Sequence, residues 1–483
     1  MFSKNVVKLM AGAGISQAFL ILATPLITRM FSVDEFGFWS VFIAIQTVLG
    51  SIASFRYEFS IINADDEEQA MSQLGISIFF SFFSSIVTLI AVKIWGGVFA
   101  NWINLPEFES FLYLVPLVVL FSGVGNGLYF WTSRAGNFGK IAIARIVSSG
   151  VLVGSILILG WLTEAGGVVL IASTVAGSFM FALLLMLRFW GIHDLLPTLH
   201  WKRMWFGIRY FKKYPLFDIP SGLLNTLSWQ LPSFVLARYF SVEAVGYFGL
   251  AMRVVFSPFS LIGTSVAQVF FQEAEQKKKD GLLAPMVEDV TYTLILVAVC
   301  PVVVLMVSGQ EIFTVIFGSN WVEAGRYAQL LGLWTLFVFI SSPLHGILNT
   351  LGRQEVGLGF NVALLGTRIL SIIVGVMVKD ARIAIALFSI TGVICYAAIA
   401  LWILKACNVS VKKITGWLFE MIYLSAMILV ALLPAKMFWA ESPALVVLAS
   451  LILLALYYVV LVLTKPTLRS KLFSMVGGFG KWL

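Results

Sequence analysis

The chain has 483 residues, of which 60% are apolar and 12% charged, with a formal net charge of +8. A mean hydropathy of +0.97 excludes an ordinary soluble globule and makes lipid the solvent for most of the chain. Cys300, Cys395 and Cys407 are scattered through apolar segments without metal-like spacing, which points to packing residues rather than a disulfide framework or a zinc site.

Apolar stretches of about 20 residues recur between short polar breaks, the length a helix needs to cross a hydrocarbon core about 30 Å thick. No tract alternates over roughly ten residues as a membrane barrel strand does. Unpaired backbone groups are too costly in lipid for any other solution, so the expected fold is an all-α polytopic membrane bundle. Lys4 and Lys8 precede the first run, which lacks a small-residue cleavage site and reads as a retained helix. Helices are predicted at 8–30, 38–62, 71–96, 110–132, 141–162 and 166–188. The longest polar connection, 190–213, follows and carries Lys202, Arg203, Arg209, Lys212 and Lys213. A second series is predicted at 215–238, 245–271, 286–308, 326–350, 356–378 and 383–405, and a final pair at 417–436 and 443–464 has no counterpart in the first series. The expected division is a six-helix bundle over 1–213, a second over 214–407, and an extra hairpin with a basic tail over 408–483.

One stretch occurs twice. Arg29-Met30-Phe31-Ser32-Val33-Asp34-Glu35-Phe36-Gly37-Phe38 returns as Arg238-Tyr239-Phe240-Ser241-Val242-Glu243-Ala244-Val245-Gly246-Tyr247, at an offset of 238 − 29 = 209 residues. Each copy joins two apolar segments, so the two series read as related halves that each open with a matching helical hairpin. Six spans per half make the repeats parallel, with a substrate path expected between them.

Fourteen spans with both termini cytoplasmic place about 22 Lys and Arg inside and about 7 outside. The inside set includes Arg134, Lys140, the basic connection, Lys277 to Lys279, Arg353, Lys412, Lys413 and the tail residues Lys465, Arg469, Lys471 and Lys481. The positive charge is thus a topology signal that also favours an anionic leaflet, and it implies no nucleic acid.

A few charges fall inside predicted helices. Arg253 lies roughly 12 Å from its helix end at 1.5 Å per residue, too deep to snorkel easily, which points to a polar cavity; the rival is an ion pair, with Glu58 as the partner. Arg56 and Glu58 flank Tyr57 near the end of the second predicted helix, and residues two apart do not face each other, so a mutual salt bridge is not the simple reading; each either faces the cavity, Glu58 then as a coupling-ion or gating acid, or snorkels to the helix end. Arg368 is the deepest charge, either binding substrate or tying its helix to a neighbour. Asp218 sits between Pro215 and Pro220, where broken backbone would suit a coupling cation or a helix cap. His345 reads as a satisfied structural histidine, Pro25 and Pro232 as kinks or breaks, and Gly150 with Gly154, like Gly123, Gly125 and Gly127, as close-packing positions. No Walker sequence, metal-ligand helix or nucleophile elbow is present, so no catalytic residue or metal ligand is assigned and an enzyme is not expected.

Pro25 with Arg29-Met30-Phe31 and Glu35-Phe36-Gly37, Arg56-Tyr57-Glu58, Phe317-Gly318-Ser319-Asn320-Trp321 with Ala324-Gly325, and Leu351-Gly352-Arg353-Gln354 occur in this order. In these the chain resembles the polysaccharide biosynthesis flippases of the Wzx type, in the superfamily that also holds multidrug extruders and lipid II flippases. The resemblance implies transfer of an undecaprenyl-pyrophosphate-linked oligosaccharide (an O-antigen, capsule or exopolysaccharide unit) across the bacterial inner membrane by alternating access. It implies as partners this lipid-linked oligosaccharide, membrane lipid, and polysaccharide polymerase and chain-length machinery. Arginine suits a pyrophosphate because it binds phosphate oxygens bidentately. Similarity to lipid II flippases points to Arg56 and Arg253 as cavity arginines; Arg29 and Arg238, at the outer helix ends, would form a second, outward-facing ring or act as interfacial anchors. No cofactor is expected, and a coupling ion, Na+ or H+, stays open. Two rival functions follow from the same segments. A cation-coupled multidrug extruder should carry acids in its cavity, and a membrane polymerase or ligase of lipid-linked sugars should show a sizeable outer loop, whereas the predicted outer loops are short.

Overall fold

The computed structural model describes residues 2–163, 166–187 and 200–464. The tail residues Lys465, Arg469, Lys471 and Lys481, and the first part of the polar connection from Trp190, lie outside them. The described residues form a set of α-helices: α1 Phe2–Met30, α2 Val33–Gly50, α3 Glu67–Trp102, α4 Val115–Arg134, α5 Phe138–Leu162, α6 Gly167–Leu187, α7 Trp201–Tyr210, α8 Ile219–Tyr239, α9 Val242–Lys279, α10 Leu283–Phe317, α11 Val322–Ser341, α12 Gln354–Val378, α13 Ala381–Ala406, α14 Val411–Phe438 and α15 Pro443–Thr464. Thirteen helical segments among the described residues are long and apolar enough to cross a membrane, which makes this a multi-pass membrane protein. The fourteenth expected span, α8, is a helix of 21 residues but is not among the thirteen. Ser221, Asn225, Thr226, Ser228 and Gln230 dilute its hydropathy.

The repeated stretch is explained by capping chemistry. Ser32 accepts the Glu35 amide at 3.3 Å while Glu35 accepts the Ser32 amide at 2.8 Å, a reciprocal box that starts α2 two residues after α1 ends. In the second copy Ser241 accepts the Ala244 amide at 3.2 Å, half of the same device, because alanine stands where Glu35 does. The two copies also meet. A Cβ on Gly37 would collide with the Val242 carbonyl, and one on Gly246 with the Val33 carbonyl, so α2 and the start of α9 cross at reciprocal positions that require glycine. The carboxyl groups of Asp34 and Glu243, again equivalent, lie close enough to interact electrostatically.

The acidic run 65–68 is likewise a helix start: the Asp66 carboxylate accepts the Gln69 amide at 2.6 Å, and Glu67 and Glu68 occupy the first turn of α3, where the helix dipole favours negative charge. The second predicted helix, 38–62, is too long. α2 stops at Gly50, turns follow, and Tyr57–Ile61 is a 3-10 helix. Phe55 and Arg56 both take left-handed backbone, at φ 54° and 64°, a strained pair that side-chain packing stabilises. Phe80 of α3 stacks on Phe55 at 4.7 Å and on Tyr57 at 5.3 Å, and the Tyr57 hydroxyl donates to the Ile208 carbonyl at 3.1 Å. Ile208 belongs to α7, an amphipathic helix inside the stretch read as a polar connection. Its inner face packs on α3 at Gly207, and its outer face exposes Trp201, Trp205, Phe206 and Tyr210 beside the basic residues.

Two compact units are present, one containing the chain through Arg253 with Leu364–Ala384, the other Val254–Ala363 with the chain from Ile385 onward. The second unit centres on α10, whose inner face (Val299, Cys300, Val302) packs with Phe339 of α11 and Leu432 of α14. α10 bends at Ser308, where φ is −109° and ψ 17°. The freed Val307 carbonyl is taken by the Gln329 amide at 3.0 Å and by Lys436 at 2.7 Å, which also binds Glu311 at 3.0 Å. The hydroxyls of Tyr457 and Tyr458 donate to the carbonyls of Leu296 and Val297, so the extra hairpin α14–α15 is pinned to α10 by polar groups in an apolar core. The Phe317–Trp321 motif is a helix stop: Gly318 takes φ 108° and Trp321 is buried as an anchor. His345 is held at 2.9 Å from the Ser341 carbonyl and packs edge-on against Phe360, as a structural histidine does.

Two glycine and proline expectations change. Gly123 and Gly127 face Ser81 and Ser77 of α3 closely, but Gly150 and Gly154 have nothing within 4 Å, so that GxxxG spacing marks no helix contact. Helical structure runs through Pro25 and Pro232, so neither proline breaks its helix, and of the two readings only a kink remains.

Candidate functional site

All seven sequence-selected charged residues, Arg29, Arg56, Glu58, Asp218, Arg238, Arg253 and Arg368, fall in the first compact unit. They divide by what they touch.

Arg253 leaves α9 across the faces of two aromatic residues of α2, its guanidinium carbon 3.9 Å from the Trp39 ring centre and 5.2 Å from that of Phe36. The rings are themselves in edge contact at 5.1 Å, and the Trp39 indole N–H donates to Thr174 of α6 at 2.8 Å, which fixes the platform. Aromatic faces stabilise the charge of a guanidinium without using its N–H donors. Nη1 of Arg253 is buried and has no hydrogen-bond partner among the described residues. The expected alternative, an ion pair with Glu58, is not formed.

Arg56 sits on the strained turn rather than on a helix. Its guanidinium lies against Gly222 of α8, where any Cβ would strike it, and 5.5 Å from the Phe59 ring centre; its Nε is buried without a hydrogen-bond partner. Glu58, 3% exposed, accepts a hydrogen bond from Ser54. Burial holds its carboxyl above the ordinary carboxylate range, against the opposing pull of the Ser54 hydrogen bond and the Arg56 charge.

The other residues are engaged differently. Arg368, fully buried, donates from Nη1 to the Ser228 hydroxyl at 2.8 Å and the Ser228 carbonyl at 3.0 Å, and lies 4.9 Å from the Trp229 ring centre. These are the contacts of a tie between α12 and α8. Arg238 donates to the Asn104 side chain at 2.7 Å and its carbonyl accepts from the same amide at 2.8 Å. Arg29 is exposed at the end of α1. Asp218 ends a single π turn, Tyr214–Asp218, at the N-cap position of α8, but it is exposed and makes no capping hydrogen bond.

Sequence reasoning missed Trp39, Phe36 and Thr174, whose apolar surroundings made them look like ordinary core. It also missed a cavity of about 410 Å³ bounded by α2, α4, α5 and α6. Nine of its fourteen lining residues carry a hydroxyl or amide and none carries a charge.

A family model described as "Polysaccharide biosynthesis protein" matches residues 26–326, more than half of the chain. The chain belongs to this family. Among curated proteins it is 20% identical over 306 residues to the teichuronic acid biosynthesis protein TuaB of Bacillus subtilis (strain 168), covering 61% of this chain and 60% of that one. It is 22% identical over 314 residues to the succinoglycan biosynthesis transport protein ExoT of Rhizobium meliloti (strain 1021), covering 65% and 62%. The chain thus spans about three-fifths of the length of these relatives. In structure it is similar to the lipid II flippase MurJ in an inward closed conformation, with a TM-score of 0.68, 14% identity, and coverage of 93% of this chain and 99% of that one. This family member therefore has the fold of that flippase.

Proposed function

We propose that the protein is a flippase that moves a polyprenyl-pyrophosphate-linked oligosaccharide between the leaflets of the bacterial cytoplasmic membrane. The reading is carried by Arg253: a guanidinium held on aromatic faces, with a buried N–H donor unpaired, is prepared for a phosphate oxygen. Arg56, held against Gly222 of α8 beyond the far end of α2, would offer a second cation to the moving headgroup rather than share the Arg253 position. The names of the two curated relatives, one in teichuronic acid biosynthesis and one in succinoglycan transport, support a polysaccharide precursor as cargo. Polymerase and chain-length proteins would take up the delivered unit. Buried Glu58, beside Arg56, is the acid we assign to coupling through a proton.

The test is transport in proteoliposomes with two cargoes, a fluorescent undecaprenyl-pyrophosphate oligosaccharide and a lipophilic cationic dye. The lipid-linked sugar should move between leaflets faster than in empty liposomes while the dye gradient is unaffected. Dye transport without lipid movement would replace this reading with the multidrug extruder.

A further inference from the structure

The uncharged cavity offers nothing to a pyrophosphate, yet it is linked through Thr174 and Trp39 to Arg253, the residue proposed to bind one. Thr174 lines it and also accepts the hydrogen bond that fixes Trp39, the platform of Arg253. Four of its lining side chains, Gln46 on α2, Ser122 and Asn126 on α4, and Ser149 on α5, make no hydrogen bond with any described residue. The Gln46 carbonyl oxygen is moreover buried. Unpaired amides and hydroxyls that converge inside a membrane bundle suit an occupant with matching donors and acceptors. The absence of any charged lining residue makes that occupant neutral, and Phe121 and Phe181 add two ring surfaces to the polar wall. A pyranose has this composition, with a rim of hydroxyls around apolar C–H faces. The volume of about 410 Å³ lies within the roughly 300–1,000 Å³ of small-ligand sites.

Resting on the flippase reading, we infer that this cavity is a subsite for a neutral sugar ring of the lipid-linked glycan, and that Gln46, Ser122, Asn126 and Ser149 set its selectivity. The arrangement joins two recognitions in one unit: Arg253 takes the pyrophosphate common to all such carriers, and the cavity reads the attached sugar.

Binding to the full-length protein in nanodiscs tests it. The probes are undecaprenyl pyrophosphate, the same lipid carrying one glucose, galactose or N-acetylglucosamine, and the three free methyl glycosides. At least one sugar-bearing lipid should bind about 10-fold more tightly than the bare lipid, the effect of two or so neutral hydrogen bonds. Asn126→Leu and the milder Ser149→Ala should each lower that ratio, with thermal unfolding used to show that each variant is folded. Arg253→Ala should weaken bare and sugar-bearing lipids together and leave the ratio standing. Equal binding of bare and sugar-bearing lipids, or a ratio that survives both cavity substitutions, overturns the subsite and leaves a water-filled cavity. A methyl glycoside that binds as tightly as its lipid assigns the cavity to free sugars instead. If the bare lipid does not bind at all, the flippase reading fails and the subsite with it.

Discussion

Arg253 and Arg368 are both arginines inside the membrane bundle, but the helix crossings that hold them differ in chemistry. At the crossing of α9 with α2, Arg253 rests on Trp39 and Phe36, which attract its charge and leave Nη1 without a hydrogen-bond partner among the described residues. At the crossing of α12 with α8, Arg368 is fully buried and its Nη1 is engaged by both the hydroxyl and the carbonyl of Ser228. Depth alone therefore does not identify a binding residue. Nor does an aromatic face, since Arg368 also lies 4.9 Å from the Trp229 ring centre; the two differ at Nη1, which is hydrogen-bonded in Arg368 and has no partner among the described residues in Arg253.

The comparison breaks if the two arginines respond alike. Arg368→Ala should have the largest effect on stability, about 3 kcal/mol or more, since two hydrogen bonds to a charged group are lost from a buried crossing. Thermal unfolding in detergent should fall sharply, with undecaprenyl-pyrophosphate affinity unchanged per folded molecule. Trp39→Phe keeps a ring under Arg253 but weakens it and removes the bond to Thr174, so affinity should drop about 2–10-fold. An unchanged affinity would mean that the platform does not orient the guanidinium. Gly222→Ala displaces Arg56, a flexible end that can move aside, so stability should hold while affinity falls by about 2–5-fold. Glu58→Gln sharpens the account at the strained turn. Burial raises the Glu58 carboxyl when folded, so the parent is most stable where Glu58 is protonated and loses stability as pH rises from the ordinary carboxylate value through the raised one. Unfolding temperatures of Glu58→Gln should not show that loss; equal pH profiles would place the acid in water.

Much of the fold was legible because its signals are local. Apolar segment length located most helices, and the twofold stretch around Ser32 and Ser241 marked two capped helix starts whose glycines then prove to interlock. The end of α2 was not legible: left-handed Phe55 and Arg56 are fixed by Phe80 and Ile208, which are remote in sequence. α7 was hidden because its basic residues read as a connection, although Trp201, Trp205 and Ile208 already gave it an apolar spacing. For the site, sequence selected the arginines but not their roles, since Ser228 and Trp39 look like any other helix residues until the crossings form. The cavity had no sequence signal, because its hydroxyls and amides are spread over four helices and each resembles an isolated polar residue. Gly150 and Gly154 had the opposite fault, a motif spacing with no neighbour to use it.

The central claim is that Arg253 grips the pyrophosphate of a lipid-linked sugar. The most direct measurement follows how fast an impermeant quencher reaches inner-leaflet fluorescent undecaprenyl-pyrophosphate oligosaccharide in proteoliposomes containing the parent, Arg253→Lys or Arg253→Ala. The account predicts rapid access with the parent, an intermediate rate with lysine, and a loss of about 10–100-fold with alanine, the effect of removing charge-assisted hydrogen bonds worth about 1.5–3 kcal/mol. Folded Arg253→Ala that transfers the lipid at the parent rate would contradict it.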